Sequence, residues 1–484
     1  MYLGLDLGTS SVKALLIDDT QVILGSASAN LTVERPHPGW SEQGPDSWIT
    51  ATRTAIGLLA KTHGKELSRL RGIGLSGHMH GATAIDRAGK PIRPCILWND
   101  TRSHVEAAAL DADPMFRRLT GNIVFPGFTA PKLKWMATHE ADNFSRVAKV
   151  LLPKDYLRLW LCGEAISEMS DSSGTSWLDV GKRGWDDDLL AATGLERSHM
   201  PALVEGSERG GSLRPELAAE LGLPAGTPIA GGAGDNAASA CGMGTIADGH
   251  AFASLGTSGV LFAANNRYLP NPDSAVHAFC HALPGIWHQM GVILSATDSL
   301  NWLAGVTSTD PAQLTGELGE KLLAPGSVMF LPYLSGERTP HNDASIRGGF
   351  AGLGHESDRV ALTRAVVEGV AFAFRDSLEA LAQAGTRLER VTAIGGGSRS
   401  NYWLEVLATV LGLPVDIPES GDFGAAFGAA RLGLIAAENA DPFSVCAPPA
   451  TRRSINPNSE HAKAFEEAYQ RYRALYPAIK GALS

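Results

Sequence analysis

Cysteine is scarce in this chain and shows no pairing pattern. The 484 residues include five cysteines, at positions 95, 162, 241, 280 and 446, an odd number without any Cys-x-x-Cys spacing. A disulfide framework is therefore disfavoured, and a reduced, cytoplasmic setting is expected. The sequence also begins without the basic segment and apolar core of a signal peptide, which agrees with that setting.

Positive charge is in deficit, and an uninterrupted apolar run of membrane length is missing. The 41 lysines and arginines are outnumbered by 51 aspartates and glutamates, for a net charge of −10. A partner held through nucleic-acid phosphates is therefore disfavoured. Residues 274–297 contain no Asp, Glu, Lys or Arg, but three histidines, Gln289 and the turn Pro284-Gly285 interrupt them. We therefore expect no membrane span.

The nucleotide motif of P-loop proteins is missing as well. The three Gly-Lys pairs, which begin at positions 64, 89 and 181, are followed by Glu, Pro and Arg rather than by Ser or Thr. This excludes a P-loop. The spacing of Gly72, Gly74 and Gly77 matches the dinucleotide fingerprint, but it leads into His78-Met79 rather than into a helix. That context argues against a dinucleotide site.

What the chain does contain is one hexapeptide in two copies, Leu7–Val12 (LGTSSV) and Leu255–Val260 (LGTSGV). Each copy lies between two short apolar runs, which predicts a β-hairpin with a Gly-Thr-Ser tip. A glycine followed by hydroxyl residues lets backbone N–H groups converge on an anion, although an ordinary turn has the same composition. Repetition indicates a duplicated unit. Two such tips facing each other across a cleft could hold a polyphosphate.

The composition and the element pattern are typical of a large α/β protein with more than one domain. Apolar residues make up 44% and charged residues 19% of the chain, and 484 residues exceed what one core usually supports. Short strands alternate with helices in both halves. The first half extends to the glycine-rich strand end Ile229–Asp235. We predict two domains, 1–244 and 245–484.

Motifs over nearly the whole chain resemble those of the FGGY carbohydrate kinases, within the actin-like ATPase superfamily. Asp6–Ser10, residues 254–259 and Gly395–Gly397 are similar to the phosphate-1, phosphate-2 and adenosine motifs. Further matches are His37–Gln43, Met79–Gly81, Leu97–Asp100, Gly127–Trp135, Leu152–Leu157, Leu331–His341 and Gly348–Glu368. In the last of these, Ala361 stands where the family usually has a polar residue. The resemblance implies an α/β fold of two actin-like (ribonuclease H-like) domains that close on a central cleft.

The resemblance also implies the reaction, which is ATP-dependent phosphorylation of a sugar. D-xylulose is the expected acceptor and D-xylulose 5-phosphate the expected product, with ribulose, glycerol or a related polyol as the alternative. A filament or chaperone ATPase of the same superfamily would not need the pairs Met79-His80 and Asp235-Asn236. A sugar sensor without catalysis would be expected to lack Asp6 or Asp235, and both are present.

Two aspartates carry the chemistry that the resemblance implies. Asp235 matches the catalytic base, which takes the proton of the sugar hydroxyl; from spacing alone it could equally be a helix N-cap. Asp6 precedes the first phosphate turn. A carboxylate beside phosphates would be repelled unless a cation lay between them. Mg²⁺ that keeps most of its waters is therefore expected to bridge Asp6 and the phosphates.

The sugar is expected to be recognised by Met79, His80, Asp235 and Asn236, which match the family's contacts. Trp98 and Asn99 are further candidates for the pocket wall, although a tryptophan is more often a core residue. His78 and His80 share one face of an extended segment, which leaves a zinc site as an alternative.

The nucleotide is expected to be held by both hairpins and by the adenosine turn. The predicted residues are Gly8, Thr9, Ser10, Lys13, Gly256, Thr257, Ser258, Gly396, Gly397 and Asn401. Lys13 could equally be a solvated lysine on its hairpin. The expected partners are thus the sugar and ATP. A homodimer is left open as the oligomeric state, and neither nucleic acid nor a membrane is an expected partner.

Overall fold

The fold combines two large sheets with helices on their faces. The computed structural model describes residues 1–419 and 423–483. In the first half of the chain the strands are β1 (Tyr2–Leu7), β2 (Ser11–Ile17), β3 (Ile23–Asn30), β4 (Glu42–Gln43), β5 (Gly72–Gly77), β6 (Thr83–Ile85), β7 (Cys95–Ile96), β8 (Lys149–Leu151), β9 (Ile166–Glu168), β10 (Leu178–Asp179), β11 (Gly184–Trp185), β12 (Ala202–Val204), β13 (Arg209–Ser212), β14 (Pro228–Ala230) and β15 (Ala233–Gly234). In the second half they are β16 (Ala251–Leu255), β17 (Gly259–Asn265), β18 (His277–Cys280), β19 (Trp287–Ile293), β20 (Met329–Leu331), β21 (Gly349–Ala351), β22 (Val391–Ile394), β23 (Val415–Pro418) and β24 (Thr451–Ile455).

Helices cover the faces of these sheets and fill the connections between strands. In the first half they are α1 (Pro45–Leu67), α2 (His104–Asp111), α3 (Pro114–Thr120), α4 (Thr129–His139), α5 (Ala141–Phe144), α6 (Pro153–Cys162), α7 (Met169–Ser172), α8 (Asp187–Ala191), α9 (Pro215–Leu221) and α10 (Asp235–Met243). In the second half they are α11 (Thr297–Thr307), α12 (Pro311–Gly316), α13 (Arg359–Gln383), α14 (Asn401–Leu411), α15 (Ala425–Glu438), α16 (Pro442–Val445) and α17 (Ala462–Leu483). Within the described part of the chain, no helix is both long and apolar enough to cross a membrane.

The first sheet has seven strands, in the order β13-β14-β5-β1-β2-β3, with β15 paired to β5. Strands β1, β5 and β15 run parallel to one another. Their carboxyl ends therefore meet at one edge of the sheet, the edge at which ligands bind in α/β proteins. Asp6 lies next to the end of β1, and His78 and Asp235 directly follow β5 and β15.

The second sheet has the order β18-β19-β17-β16-β22-β23-β24. Strand β16 pairs antiparallel with β17 and parallel with β22, just as β1 pairs with β2 and β5. The two hairpins predicted from the repeated hexapeptide are thus confirmed. Each one lies beside a parallel strand in its own sheet, which is the arrangement that a duplicated unit would produce.

A helix from the second half of the chain packs on the first sheet. Helix α15 lies across β1 and β5 and against α10, and its backbone approaches theirs directly. A Cβ atom at Gly74 would lie 1.7 Å from the carbonyl oxygen of Ala429, and one at Gly4 would lie 1.8 Å from that of Ala426. On the other face, a Cβ at Gly428 would lie 1.7 Å from the carbonyl oxygen of Ala238. Only glycine fits these positions.

The two halves also touch beside β18. The side chain of Asn122 donates from Nδ2 to the carbonyl oxygen of Ala278 at 2.9 Å and accepts from its N–H at 3.0 Å. The N–H of Cys280 donates to Ser173 Oγ at 3.0 Å. Strand β18 is therefore hydrogen-bonded to the first half of the chain as well as to β19.

We predict that Gly74→Ala destabilises the protein by at least about 3 kcal/mol, because the new methyl group would overlap backbone atoms that cannot rotate away. The matched control is Gly57→Ala in the exposed face of α1, where nothing lies within 4 Å of the new Cβ. That change should raise the stability by up to about 1 kcal/mol. Thermal and denaturant unfolding of both variants provide the measurement, and a wild-type midpoint for Gly74→Ala would contradict the packing described for α15.

Candidate active site

A cavity of about 780 Å³ lies between the two halves of the chain. The first half contributes His78, Met79, His80, Trp98, Asn99, Asp100, Thr101, Phe125, Pro126, Gly127, Phe128, Asp235 and Asn236. The second half contributes Ser254, Gly256, Thr257, Ser258, Val260, His277, Phe279, Met290, Val292, Leu294 and Arg338. The cavity thus brings all six predicted sugar-binding residues together with the tip of the second hairpin.

Asp235 is the first residue of α10 and directly follows β15. Gly234 occupies the N-cap position, so the alternative in which Asp235 caps the helix is wrong. One carboxylate oxygen of Asp235 accepts from the backbone N–H of Asn236 at 2.7 Å and from its Nδ2 at 3.0 Å. Burial and the nearby Asp6 carboxylate raise the pKa of Asp235 to about 6. This carboxylate is therefore a stronger base than an ordinary aspartate.

The backbone just before Asp235 is held by two contacts. The N–H of Gly234 donates to Ser170 Oγ at 3.1 Å, and the side chain of Met79 packs so closely that a Cβ at Gly234 would lie 2.9 Å from it. Met79 itself is 6% exposed. Besides lining the cavity, Met79 therefore helps to fix the position of the strand end that carries Asp235.

His80 adopts an uncommon backbone conformation, with φ of +70°. Its carbonyl oxygen accepts from Lys132 Nζ at 2.9 Å and from Thr129 Oγ1 at 3.1 Å, and its ring stacks on Phe128. Burial lowers the pKa of His80 to about 3, so the ring is neutral. Its Nδ1 lies 2.7 Å from the carbonyl oxygen of Gly174 and must donate there. The other nitrogen, Nε2, is therefore a hydrogen-bond acceptor.

His78 lies deep in the cavity wall and is 3% exposed. Burial lowers its pKa to about 3, and neither ring nitrogen has a hydrogen-bond partner among the described residues. Among those residues the structure also contains no group of three or more His, Cys, Asp and Glu side chains suited to a metal ion.

Trp98 forms a wall between the cavity and the first hairpin. It is 48% exposed, so the alternative of a core tryptophan is wrong. Its Nε1 donates to Thr9 Oγ1 at 3.0 Å, and Gln43 Nε2 donates to the carbonyl oxygen of Thr9 at 2.8 Å. In this structure the first hairpin tip therefore lies beside the cavity, and the second hairpin tip is part of its lining.

Asp6 and Lys13 are direct neighbours across the first hairpin. They are paired in the register of β1 and β2, so their side chains project from the same face of the sheet. The charge of Asp6 acts on Asp235, which places the two carboxylates close together. Lys13 is thus located on the face of the sheet that carries Asp6.

The predicted adenosine residues line a second cavity of about 620 Å³. Gly396, Gly397 and Asn401 form one wall, and parts of α11 and α12 form the other. The Asn401 side chain accepts from Arg453 Nη2 at 2.7 Å through Oδ1, which leaves its Nδ2 group to donate. The turn also touches the second hairpin, because a Cβ at Gly397 would lie 2.8 Å from Leu255 Cβ.

Several residues of the cavity wall had no role predicted from the sequence. Arg338 and the aromatic residues Phe125, Phe128, His277 and Phe279 all line it. The Arg338 guanidinium lies 3.7 Å above the ring of Phe125, a contact between the two halves of the chain. Arg338 belongs to the quoted motif Leu331–His341, so the signal was present, but sequence alone could not tell that this loop reaches the cavity.

Comparison with known proteins gives a consistent result along the whole chain. The family models described as the N-terminal and C-terminal domains of the FGGY family of carbohydrate kinases match residues 1–242 and 251–437. A curated protein from Escherichia coli K12, named xylulose kinase, is 46% identical over 99% of this chain and 99% of its own.

Solved structures agree with this. One from Brucella ovis, described as a "xyloylose kinase", is 67% identical, with a TM-score of 0.98 and 99% coverage of both chains. A xylulose kinase from Rhodospirillum rubrum is 30% identical, with a TM-score of 0.93, and covers 100% of this chain and 99% of its own. The predicted fold class, α/β with two actin-like domains around a cleft, is confirmed.

We predict that Asp235→Asn stabilises the fold at neutral pH. The pKa of Asp235 is about 6 in the folded protein against the ordinary value of 3.8, so ionising it costs folding free energy. That cost is absent below the unfolded-state pKa, grows as the pH rises to about 6, and is constant above that. At pH 7.5 the variant should gain about 1–3 kcal/mol. Denaturant unfolding at pH 7.5 and pH 5 tests this, and a gain that does not shrink at pH 5 would contradict it.

Proposed function

The chain belongs to the FGGY family of carbohydrate kinases, and we propose that it transfers the γ-phosphoryl group of ATP to the 5-hydroxyl of D-xylulose. The observation that carries the proposal is the shared cavity, whose lining includes both Asp235 and the Gly256–Ser258 tip. The full-length relatives named for xylulose support the choice of acceptor. The product would be D-xylulose 5-phosphate.

Asp235 is the proposed catalytic base. Its carboxylate accepts the hydrogen bond of the attacking hydroxyl, orients that oxygen towards the phosphorus, and takes the proton late in the transfer. Asn236 fixes one carboxylate oxygen, which leaves the other for the sugar. With a pKa of about 6, the group is mostly ionised at neutral pH and still a competent proton acceptor.

Asp6 is the proposed anchor for Mg²⁺. Carboxylate oxygens are the ligands that this ion prefers, and the Asp6 and Asp235 carboxylates lie close enough for one to raise the pKa of the other. The donor set therefore fits a hydrated divalent cation held through water. When bound, Mg²⁺ neutralises charge on the phosphates. Lys13, on the same face, adds positive charge near the same position.

The remaining predicted residues divide between the two substrates. Met79, His80, Asn236, Trp98 and Asn99 are proposed to bind the sugar, with His80 Nε2 accepting from a hydroxyl. The backbone N–H groups of the two hairpin tips are proposed to bind the phosphates. The turn at Gly396-Gly397 and the amide of Asn401 are proposed to hold the adenosine, which the 620 Å³ cavity beside them would accommodate.

The proposal extends to the domain division, the cellular location and the oligomeric state. We place the domain division between residues 244 and 245, supported by the end of one family-model match at 242 and the start of the next at 251. A cytoplasmic location is supported by the five free cysteines. A homodimer stays a prediction, which sedimentation equilibrium would test.

The acceptor is tested with a panel of ketoses and polyols in a coupled ADP-release assay. We expect kcat/KM to be highest for D-xylulose and clearly lower for D-ribulose, xylitol and glycerol. A higher value for another acceptor would replace xylulose in the proposal. ATP hydrolysis that no sugar stimulates would instead favour a non-sugar ATPase.

The base is tested with Asp235→Ala. We expect kcat to fall by about 10²–10⁴, because alanine provides no proton acceptor at this position, while xylulose binding changes by about tenfold or less. The matched control is Asp248→Ala, at an exposed position outside the cavity, which should behave like the wild type. Near-normal turnover in Asp235→Ala would remove this residue as the base.

A further inference from the structure

Arg338 is the one arginine among the described residues that line the 780 Å³ cavity. Its guanidinium stacks on the ring of Phe125 at 3.7 Å and makes neither a hydrogen bond nor an ion pair with any described residue. A guanidinium carries five N–H donors and no acceptor. These donors are therefore available to a ligand in the cavity.

The neighbouring carboxyl does not use those donors. Glu337 Oε1 accepts from the backbone N–H groups of Leu294, at 3.0 Å, and of Arg338, at 2.7 Å. Burial raises the pKa of Glu337 to about 8, so at neutral pH this carboxyl is mostly protonated and gives little charge compensation. Arg338 consequently presents a nearly uncompensated cation to the cavity.

Arg338 lies near two histidine rings of the cavity wall, His80 and His277. Burial lowers the pKa of both His80 and His277, and the charge of Arg338 lowers it further, whereas the charge that adds to burial in raising the pKa of Asp235 is that of Asp6. Phe125 contacts both kinds of group, since its ring lies 3.7 Å from the Arg338 guanidinium and 5.5 Å from the ring of His277. The part of the cavity wall next to Arg338 thus consists of aromatic rings, two neutral imidazoles and one guanidinium.

We propose that Arg338 donates to the C2 carbonyl oxygen of the bound sugar and thereby selects ketoses over polyols. This inference rests on the proposed function. In an open-chain 2-ketose the carbonyl stands between two hydroxyl groups, on C1 and C3, at the end away from O5. A donor-only guanidinium close to two imidazoles, each with one acceptor nitrogen, complements that order of acceptor and donor groups.

The same arrangement disfavours an alcohol at C2. A hydroxyl at C2 can accept from Arg338, but its own hydrogen then needs an acceptor, and the acceptor nitrogens of the two imidazoles are already used by the C1 and C3 hydroxyls. A buried donor without a partner costs more than a lost hydrogen bond alone. Selection of this kind against an analogue with the wrong polar group is stronger than selection by size.

The test compares D-xylulose with xylitol, which differs only by reduction at C2. Kinetic constants come from ADP release, and dissociation constants come from titration calorimetry of each ligand with the enzyme. For Arg338→Met we expect kcat/KM for D-xylulose to fall about 10–100-fold, mainly through KM. The constants for xylitol and the KM for ATP should change far less. Arg338→Gln, which offers both a donor and an acceptor, should bind xylitol more tightly than Arg338→Met does.

The matched control is Arg347→Met, an exposed arginine of the same loop region that bonds to its own backbone neighbours. It should leave the ratio of the two acceptors unchanged. Equal losses on both acceptors, or a loss in kcat or in the KM for ATP alone, would overturn the inference. If Arg338→Met does not fold, Arg338→Lys and Arg338→Gln decide by the same ratio. A wild-type enzyme that does not phosphorylate D-xylulose would refute the proposed function instead. Failure of the inference about Arg338 and failure of the proposed function are therefore distinguishable.

Discussion

The whole arrangement depends on backbone-to-backbone packing of α15 against the first sheet and α10. Glycines at positions 4, 74 and 428 let these backbones meet at distances that exclude any side chain. Because α10 begins with Asp235, the same contact that seats α15 also sets where the proposed base lies. Along the chain α15 comes after α14 and β23, which follow the predicted adenosine turn, so the same contact joins this part of the second half to the first sheet.

A buried ionic cluster supports the site from behind. Lys154 is fully buried and lies 2.7 Å from Asp155, 3.3 Å from Glu168 and 3.1 Å from Asp171. Burial raises the pKa of Asp171 well above its usual value. The raised pKa favours the neutral carboxyl, which removes one negative charge from the cluster. Glu168 also caps the turn that contains Ser170, the residue that holds Gly234. Such a cluster is costly to bury and therefore tolerates few alternative arrangements.

The sequence was sufficient for features encoded by contiguous residues. The hairpins followed from Gly-Thr-Ser tips between apolar runs, and the candidate site followed from motifs such as Met79-His80 and Asp235-Asn236. What it could not predict arises from contacts between distant segments. The location of α15 on the first sheet and the entry of Arg338 into the cavity depend on how loops of both halves pack, and neither leaves a local periodicity. The alternative in which Asp235 caps the helix is wrong because α10 begins at Asp235 itself, one residue earlier than that alternative requires.

The hydrogen bonds between Asn122 and Ala278 have a mechanical consequence. They tie the two halves together beside the aromatic wall, where His277 and Phe279 line the cavity. A rotation of one half against the other displaces atoms in proportion to their distance from such a pivot. The aromatic wall would therefore keep nearly the same shape during such a rotation, while atoms further from these hydrogen bonds would move more. A ligand held beside this wall would then keep its contacts while more distant parts of the cleft changed their separation.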